Sequence, residues 1–391
     1  MAENNNPTYT EVKNKEYVLK LREMLARLPR FMKTYIYGIE QKTQPRTRIA
    51  YLGDNEVFFR FIKQVNPVYK NIEIVDFPLK MLDQITTEDI EEYEHYLKYY
   101  IDPETHCEII NNERAIKRKM SSLRSMYNFF YKNQSINTNP AMQIDMPKLH
   151  DKAIVRMDTE EVSRLLDVVE TGETLSDAQK RFHNKNKLRD LTMISLLLGT
   201  GIRVSECVGL DIGDVDFKNC GIKIVRKGGY ESIVYFSDEI KRQLEMYLKE
   251  RNAISGIVEG HENALFLSDR KRRMGVRTVE IMVKKYTSTV TSTKKITPHK
   301  LRSTYGTNLY RKTGDIYLVA DVLGHKDVNT TKKHYAAIDE DRRRQARNIV
   351  SLHSESSSNY TSDSNYNSDS NYNSSSDSSS DSNSDSNSDL N

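Results

Sequence analysis

Apolar residues in the stretch EYVLKLREMLARLPRFMKTYIYGI return at Val18, Leu21, Leu25 and Leu28. That spacing is close to 3.6 and predicts an amphipathic helix, which Pro29 should end or kink. A second helical block begins near Thr47 and carries Tyr51, Val57, Phe58, Phe61 and Ile62. Thr86-Thr87-Glu88-Asp89 reads as the start of a third, running through Tyr93, Tyr96 and Leu97. In ERAIKRKMSSLRSMYNFFYKN, Ile116, Met120, Leu123, Tyr127 and Phe130 form an apolar stripe, with Arg114, Lys117, Arg118 and Arg124 beside it. The stretch NTNPAMQIDMPKLHDKAIVRM has no periodicity and reads as an interdomain linker.

The pattern resumes at Asp158, an N-cap with Glu161 three residues on. In LTMISLLLGTGIRVSECVGL an apolar helix stops at Gly199-Thr200-Gly201, and a helix carrying Arg203 follows. GIKIVRKGGYESIVYF holds two β-rich runs around Gly228-Gly229, a hairpin signal with Lys227 at its tip. Thr297 caps a helix that has Pro298 at its first position, with Leu301, Tyr305 and Leu309 as its core stripe. In VADVLGHKDVNTTKKHYAAIDEDRRRQ a helix ends at Gly324, His325 follows, and Asn329 or Thr330 caps the short helix bearing Tyr335. The expected architecture is mainly α with one small β-sheet. Its parts are a helical N-terminal extension (1–42), a helical domain (43–150), an α+β domain (151–353) and a tail (354–391).

Composition changes this picture in three ways. No run of 18 apolar residues occurs, the N-terminus is polar, and three scattered cysteines (Cys107, Cys207, Cys220) suit a reduced compartment. A cytoplasmic protein with no membrane partner is the expectation. The tail beyond Ser354 repeats Ser, Asp and Asn, too polar to offset the entropy of ordering it. Seven acidic residues and no Lys or Arg lie from Ser351 onward. Removing those seven from the 55 leaves 48 acidic residues against 59 basic ones, so the body carries +11 where the whole chain carries +4. A basic body points to a polyanionic partner. The basic flank of the 113–132 segment is then either a solvated face or one laid on DNA.

The second domain also holds the candidate chemistry. Arg203 stands in a nearly apolar stretch and needs an anion: Glu206, taken here as close to solvent, or a phosphate. His299 and Arg302, three apart, share a helix face. Each segment alone is common. The ordered series Arg203, Lys227, His299-x-x-Arg302, Leu323-Gly324-His325 and Tyr335 resembles the signature of the tyrosine recombinase (phage integrase) family. Within the family, NKNKLRDLTMISLLLGTGIRVSECVGLDIGDVDF, ITPHKLRSTYGTNLY and the LGDNEVFFRFIKQV block resemble the single-protein Xer recombinases of streptococci. One departure is the ten-residue step from His325 to Tyr335, one longer than is common in Xer proteins.

The resemblance implies a two-domain, C-shaped clamp on double-stranded DNA, with a core-binding domain before the linker and a catalytic domain after it. It assigns Tyr335 as nucleophile, His299 as its base, His325 to the phosphate and Lys227 as the acid that protonates the departing 5′-oxygen. Lys294 and Lys295 are the next candidates for that acid. Arg203 and Arg302 stay charged and offer planar forks to the phosphate oxygens. No cofactor or metal is expected. Strand exchange between two duplexes implies a homotetramer, with Ile349, Val350 and Leu352 as docking residues on a neighbour, and the Xer likeness adds a DNA translocase of the FtsK type. The alternatives are a mobile-element integrase and, from another class, a catalytically silent DNA-binding protein. A type IB topoisomerase shares the chemistry, but the Xer-like segments argue against it.

Overall fold

The computed structural model describes residues 9–149, 155–226, 229–325 and 328. In the first half, α1 (Tyr9–Ala26) stops ahead of Pro29, and α2 (Phe31–Gly38) follows. Next come α3 (Pro45–Val65), with proline in its first turn, the single-turn α4 (Met81–Gln84), α5 (Thr87–Lys98) and α6 (Glu113–Lys132). The start of α5 is fixed reciprocally: Asp89 N–H donates to Thr86 Oγ1 at 3.2 Å, and Thr86 N–H to Asp89 Oδ2 at 2.7 Å. Between α5 and α6 lies an antiparallel pair that the periodicity did not reveal, β1 (Tyr99–Ile101) with β2 (Glu108–Ile110).

One apolar core unites these elements. It takes Leu21, Met24 and Leu28 from the N-terminal region, Met32, Tyr35 and Ile36 from α2, and the expected stripe of α6. The stripe on α1 differs from the expected one: Val18 is exposed and Met24 is buried in its place. Edge-to-face rings fill the centre, Phe31 against Phe59 and Phe130, and Phe58 against Tyr93.

The second half opens with α7 (Thr159–Thr171). Asp158 Oδ1 accepts from Glu161 N–H at 2.8 Å, and Glu161 returns the bond to Asp158 N–H at 2.9 Å. Then follow α8 (Asp177–Thr200) and α9 (Val204–Gly209). A three-stranded antiparallel sheet comes next: β3 (Val215–Asp216), β4 (Gly221–Val225) and β5 (Glu231–Tyr235), in that spatial order. Ile222 pairs with Val234 and Ile224 with Ser232, and Ile222, Ile224 and Val234 face the core. Four helices complete the described part: α10 (Asp238–Asn252), α11 (Val276–Val290), α12 (Pro298–Thr313) and α13 (Ile316–Leu323). Leu196, Leu197, Leu244, Val283, Tyr286 and Leu301 lie at the middle of this second core.

Tyr9, at the start of α1, packs against the second core rather than the first. Its ring lies 5.3 Å from the Arg273 guanidinium, and it crowds Gly209, where an added Cβ would sit 3.1 Å from the ring.

Candidate active site

α8 delivers the first site residue. It ends at Thr200, and Gly201 turns the chain at φ +64°. A Cβ on Gly201 would stand 2.4 Å from the Tyr305 ring and 2.9 Å from Leu323, so both the dihedral and the close approach demand glycine. The reversal places Arg203 as the N-cap of α9 rather than inside it. Its guanidinium donates to Glu206 Oε1 at 2.7 Å and to the Gly324 carbonyl at 3.3 Å, and its backbone N–H donates to Glu206 Oε2 at 2.7 Å. The Arg203 side chain is 33% exposed, while that of Glu206 is only 4% exposed. The expectation of a Glu206 close to solvent was therefore wrong. One turn of α9 points the carboxylate inward, beside buried Cys207 and Val208.

α12 brings in the His-x-x-Arg pair. His299, in its first turn, is exposed at the rim, whereas Arg302 is 3% exposed. Arg302 donates from Nη1 to the Gly201 carbonyl at 2.6 Å and from Nη2 to the Leu323 carbonyl. It thus joins α12 to the ends of α8 and α13.

α13 begins with Asp315, whose Oδ1 accepts from the N–H groups of Tyr317 and Leu318 at 2.8 and 3.0 Å. It ends at Gly324 with φ +61°, and His325 N–H folds back onto the Ala320 carbonyl at 2.8 Å. A third guanidinium, which the sequence did not single out, meets this end. Arg226 donates to the Leu323 carbonyl at 3.1 Å and to the Val322 carbonyl at 2.7 Å, and lies 3.8 Å from Glu206. Burial draws its pKa down and the neighbouring Glu206 charge opposes that shift. The only hint in the sequence is a second basic residue in IVRKGG, and nothing there shows that it turns inward.

Three like charges thus gather around residues 322–325. The negative end of a helix dipole and one buried carboxylate hold them together. Arg203 and Arg302 meet at the turn that His325 directly follows, with His299 on the first turn of the Arg302 helix. Lys227, Tyr335, Ile349, Val350, Leu352 and the tail lie outside the described residues. Of the alternative acids, Lys294 bonds Glu161 at 2.6 Å and lies 3.7 Å from Asp158, so it belongs to the cap of α7. Lys295 is exposed. Among the described residues no group of three or more His, Cys, Asp or Glu is placed to hold a metal, and no helix is long and apolar enough to cross a membrane.

The basic flank of α6 divides. Arg114 is exposed. Lys117 donates to the Pro147 carbonyl at 3.1 Å, and Arg118 bonds Asp54, a buried carboxylate that Lys119 also reaches at 3.3 Å. Arg124 donates to the Ala141 carbonyl at 3.0 Å and to the Ile144 carbonyl, holding the turn that follows the helix.

Residues 155–342 match the model of the phage integrase family. The chain is 31% identical over 320 residues to tyrosine recombinase XerC of Caldanaerobacter subterraneus, covering 80% of this chain and 83% of that one. It is 28% identical over 352 residues to tyrosine recombinase XerS of Streptococcus thermophilus, covering 84% and 98% respectively. Among solved structures, the Tn1549 transposon integrase in complex with a circular intermediate DNA aligns with TM-score 0.57 at 19% identity, over 81% of this chain and 98% of that one. XerH site-specific recombinase bound to its difH substrate aligns with TM-score 0.53 at 20% identity, over 78% and 79%. Fold and sequence together define a tyrosine recombinase: the chain belongs to the phage integrase family. It is a site-specific recombinase, and its curated relatives carry Xer names.

Proposed function

We propose that the chain cuts and rejoins double-stranded DNA at a specific site through a 3′-phosphotyrosyl bond on Tyr335, in the manner of a Xer recombinase that resolves chromosome dimers. The observation that carries this reading is the meeting of Arg203 and Arg302 at the turn through Gly324 that leads into His325, in the chain order of the family signature. A phosphodiester repels nucleophiles, and concentrating cations on its oxygens is usually the largest catalytic term. The open third of Arg203 leaves room for a phosphate oxygen. In the proposed step the Tyr335 oxygen attacks phosphorus and its proton passes to His299. The bond from phosphorus to the 5′-oxygen breaks, and Lys227 protonates that oxygen while His325 holds the phosphate. Attack by a 5′-hydroxyl reverses the step and conserves bond energy.

Residues 43–150 serve in this reading as the core-binding domain, with Arg114 on DNA, and 151–353 as the catalytic domain. Four protomers act on two duplexes in the cytoplasm, with a DNA translocase of the FtsK type as partner. A mobile-element integrase would use the same site, and mapping bound DNA across a genome separates the two: a single locus near the replication terminus supports the Xer role. The catalytic reading is tested by Tyr335→Phe. That variant should yield no denaturant-resistant protein–DNA adduct and bind DNA nearly as well as the parent, since affinity comes from many phosphate contacts. Adducts that persist would show that another residue is the nucleophile.

A further inference from the structure

We infer that Arg226 is a positioning residue that locks the root of the β4–β5 hairpin, and with it Lys227, to the end of α13. The inference rests on the recombinase reading above and adds to it a part that the signature lacks.

The backbone of Arg226 closes the hairpin just beyond the last strand pair. Its N–H donates to the Tyr230 carbonyl at 2.7 Å, and its carbonyl accepts from Gly229 N–H at 3.0 Å. Its side chain leaves the sheet, is 10% exposed, and spans to carbonyls 96 and 97 residues later. Charged-group bonds to two successive carbonyls fix a planar fork in direction as well as distance. Gly324 makes the approach possible. A Cβ there would lie 2.9 to 3.0 Å from the Arg226 guanidinium.

A hairpin tip held only by its own turn samples many positions. A proton donor is useful only within hydrogen-bond reach of the oxygen it serves. Lys227 follows Arg226 directly in the chain, so the anchored residue is its immediate covalent neighbour. The anchor is the same helix end from which His325 departs. One clasp therefore ties the candidate acid and the phosphate-holding histidine to a common frame. Glu206 lets Arg226 sit beside Arg203 without driving the two cations apart.

The test is single-turnover cleavage of a nicked duplex carrying oxygen or sulfur at the 5′-bridging position. A thiolate leaves without protonation, because thiol pKa values lie near ~8.5. A defect in placing the acid is therefore rescued by sulfur, and a defect in binding the phosphate is not. Arg226→Met should slow cleavage of the oxygen substrate by roughly 10²-fold and return to within about threefold of the parent on the sulfur substrate. Lys227→Ala should show the same pattern. Arg226→Lys, a point charge without the fork, should fall between Arg226→Met and the parent on the oxygen substrate. Arg226→Lys, which keeps a cation at the same place, carries the test if Arg226→Met does not fold.

Equal losses on both substrates for Arg226→Met would make the guanidinium a phosphate ligand and overturn the inference. Full activity on oxygen would overturn it as well. Failure of the parent protein to cleave either substrate would instead overturn the recombinase reading, and this inference with it.

Discussion

Replacing Arg302 by alanine should damage the protein in two separable ways. The side chain is 3% exposed and ties three helices through the Gly201 and Leu323 carbonyls. Leu323 retains a donor from Arg226 at 3.1 Å, so of these two carbonyls Gly201 is the one that loses its guanidinium donor. One orphaned buried carbonyl costs about 1–3 kcal/mol, and the lost packing brings the total to roughly 2–4 kcal/mol. In a domain of this size that lowers Tm by roughly 4–16 °C. The chemical defect is larger: losing one charge-stabilising donor should slow cleavage by roughly 10²–10³-fold. The assay measures the folded fraction by denaturant titration and then single-turnover cleavage per folded molecule, well below the variant's Tm. Sulfur at the 5′-bridging position should not help, because the defect lies in stabilising the phosphorane. If cleavage per folded molecule equals that of the parent, Arg302 is a structural clasp and the phosphate lies elsewhere.

Asp54→Asn should destabilise the first core by about 3 kcal/mol, because Lys119 loses its buried countercharge. Urea midpoints check this, and cleavage per folded molecule should not change. On α6, Arg114→Ala should weaken binding to all DNA sequences alike and lower the salt slope of binding by roughly one unit. Arg124→Ala should instead lower the unfolding midpoint and leave the slope alone, since its guanidinium serves the Ala141 and Ile144 carbonyls. A reversed pattern would exchange the two assignments.

Helix starts were legible because their chemistry is local. Thr86 with Asp89, Asp158 with Glu161, and Thr297 before Pro298 each fix a boundary within a few residues. Gly201 and Gly324 marked helix ends for the same reason. What stayed hidden depends on partners far along the chain. The β1–β2 pair has three-residue strands, too short for alternation to register. Arg226 reads as one more surface charge until α13 folds back on it. So does the network in which Tyr286 donates to Asp190 at 2.8 Å, Lys285 reaches the same carboxylate at 3.3 Å and His183 meets the Tyr286 hydroxyl at 3.2 Å. The burial of Glu206 is hidden from the sequence for a related reason. Its neighbours in sequence are apolar, but only the turn at Gly201 decides that its own side chain follows them inward.

α1 has a consequence for how the molecule comes apart. Its 18 residues make a rod about 27 Å long. Leu21 and Met24 are sunk in the first core, and Tyr9 lies against the second. Two bodies joined only by the segment between α6 and α7 would melt independently. A rigid second bridge, seated at both ends, makes loosening of either body strip apolar surface from the other. The helix thus acts as a cooperativity element: it links the two unfolding equilibria, and a defect in one core is felt in the persistence of the other.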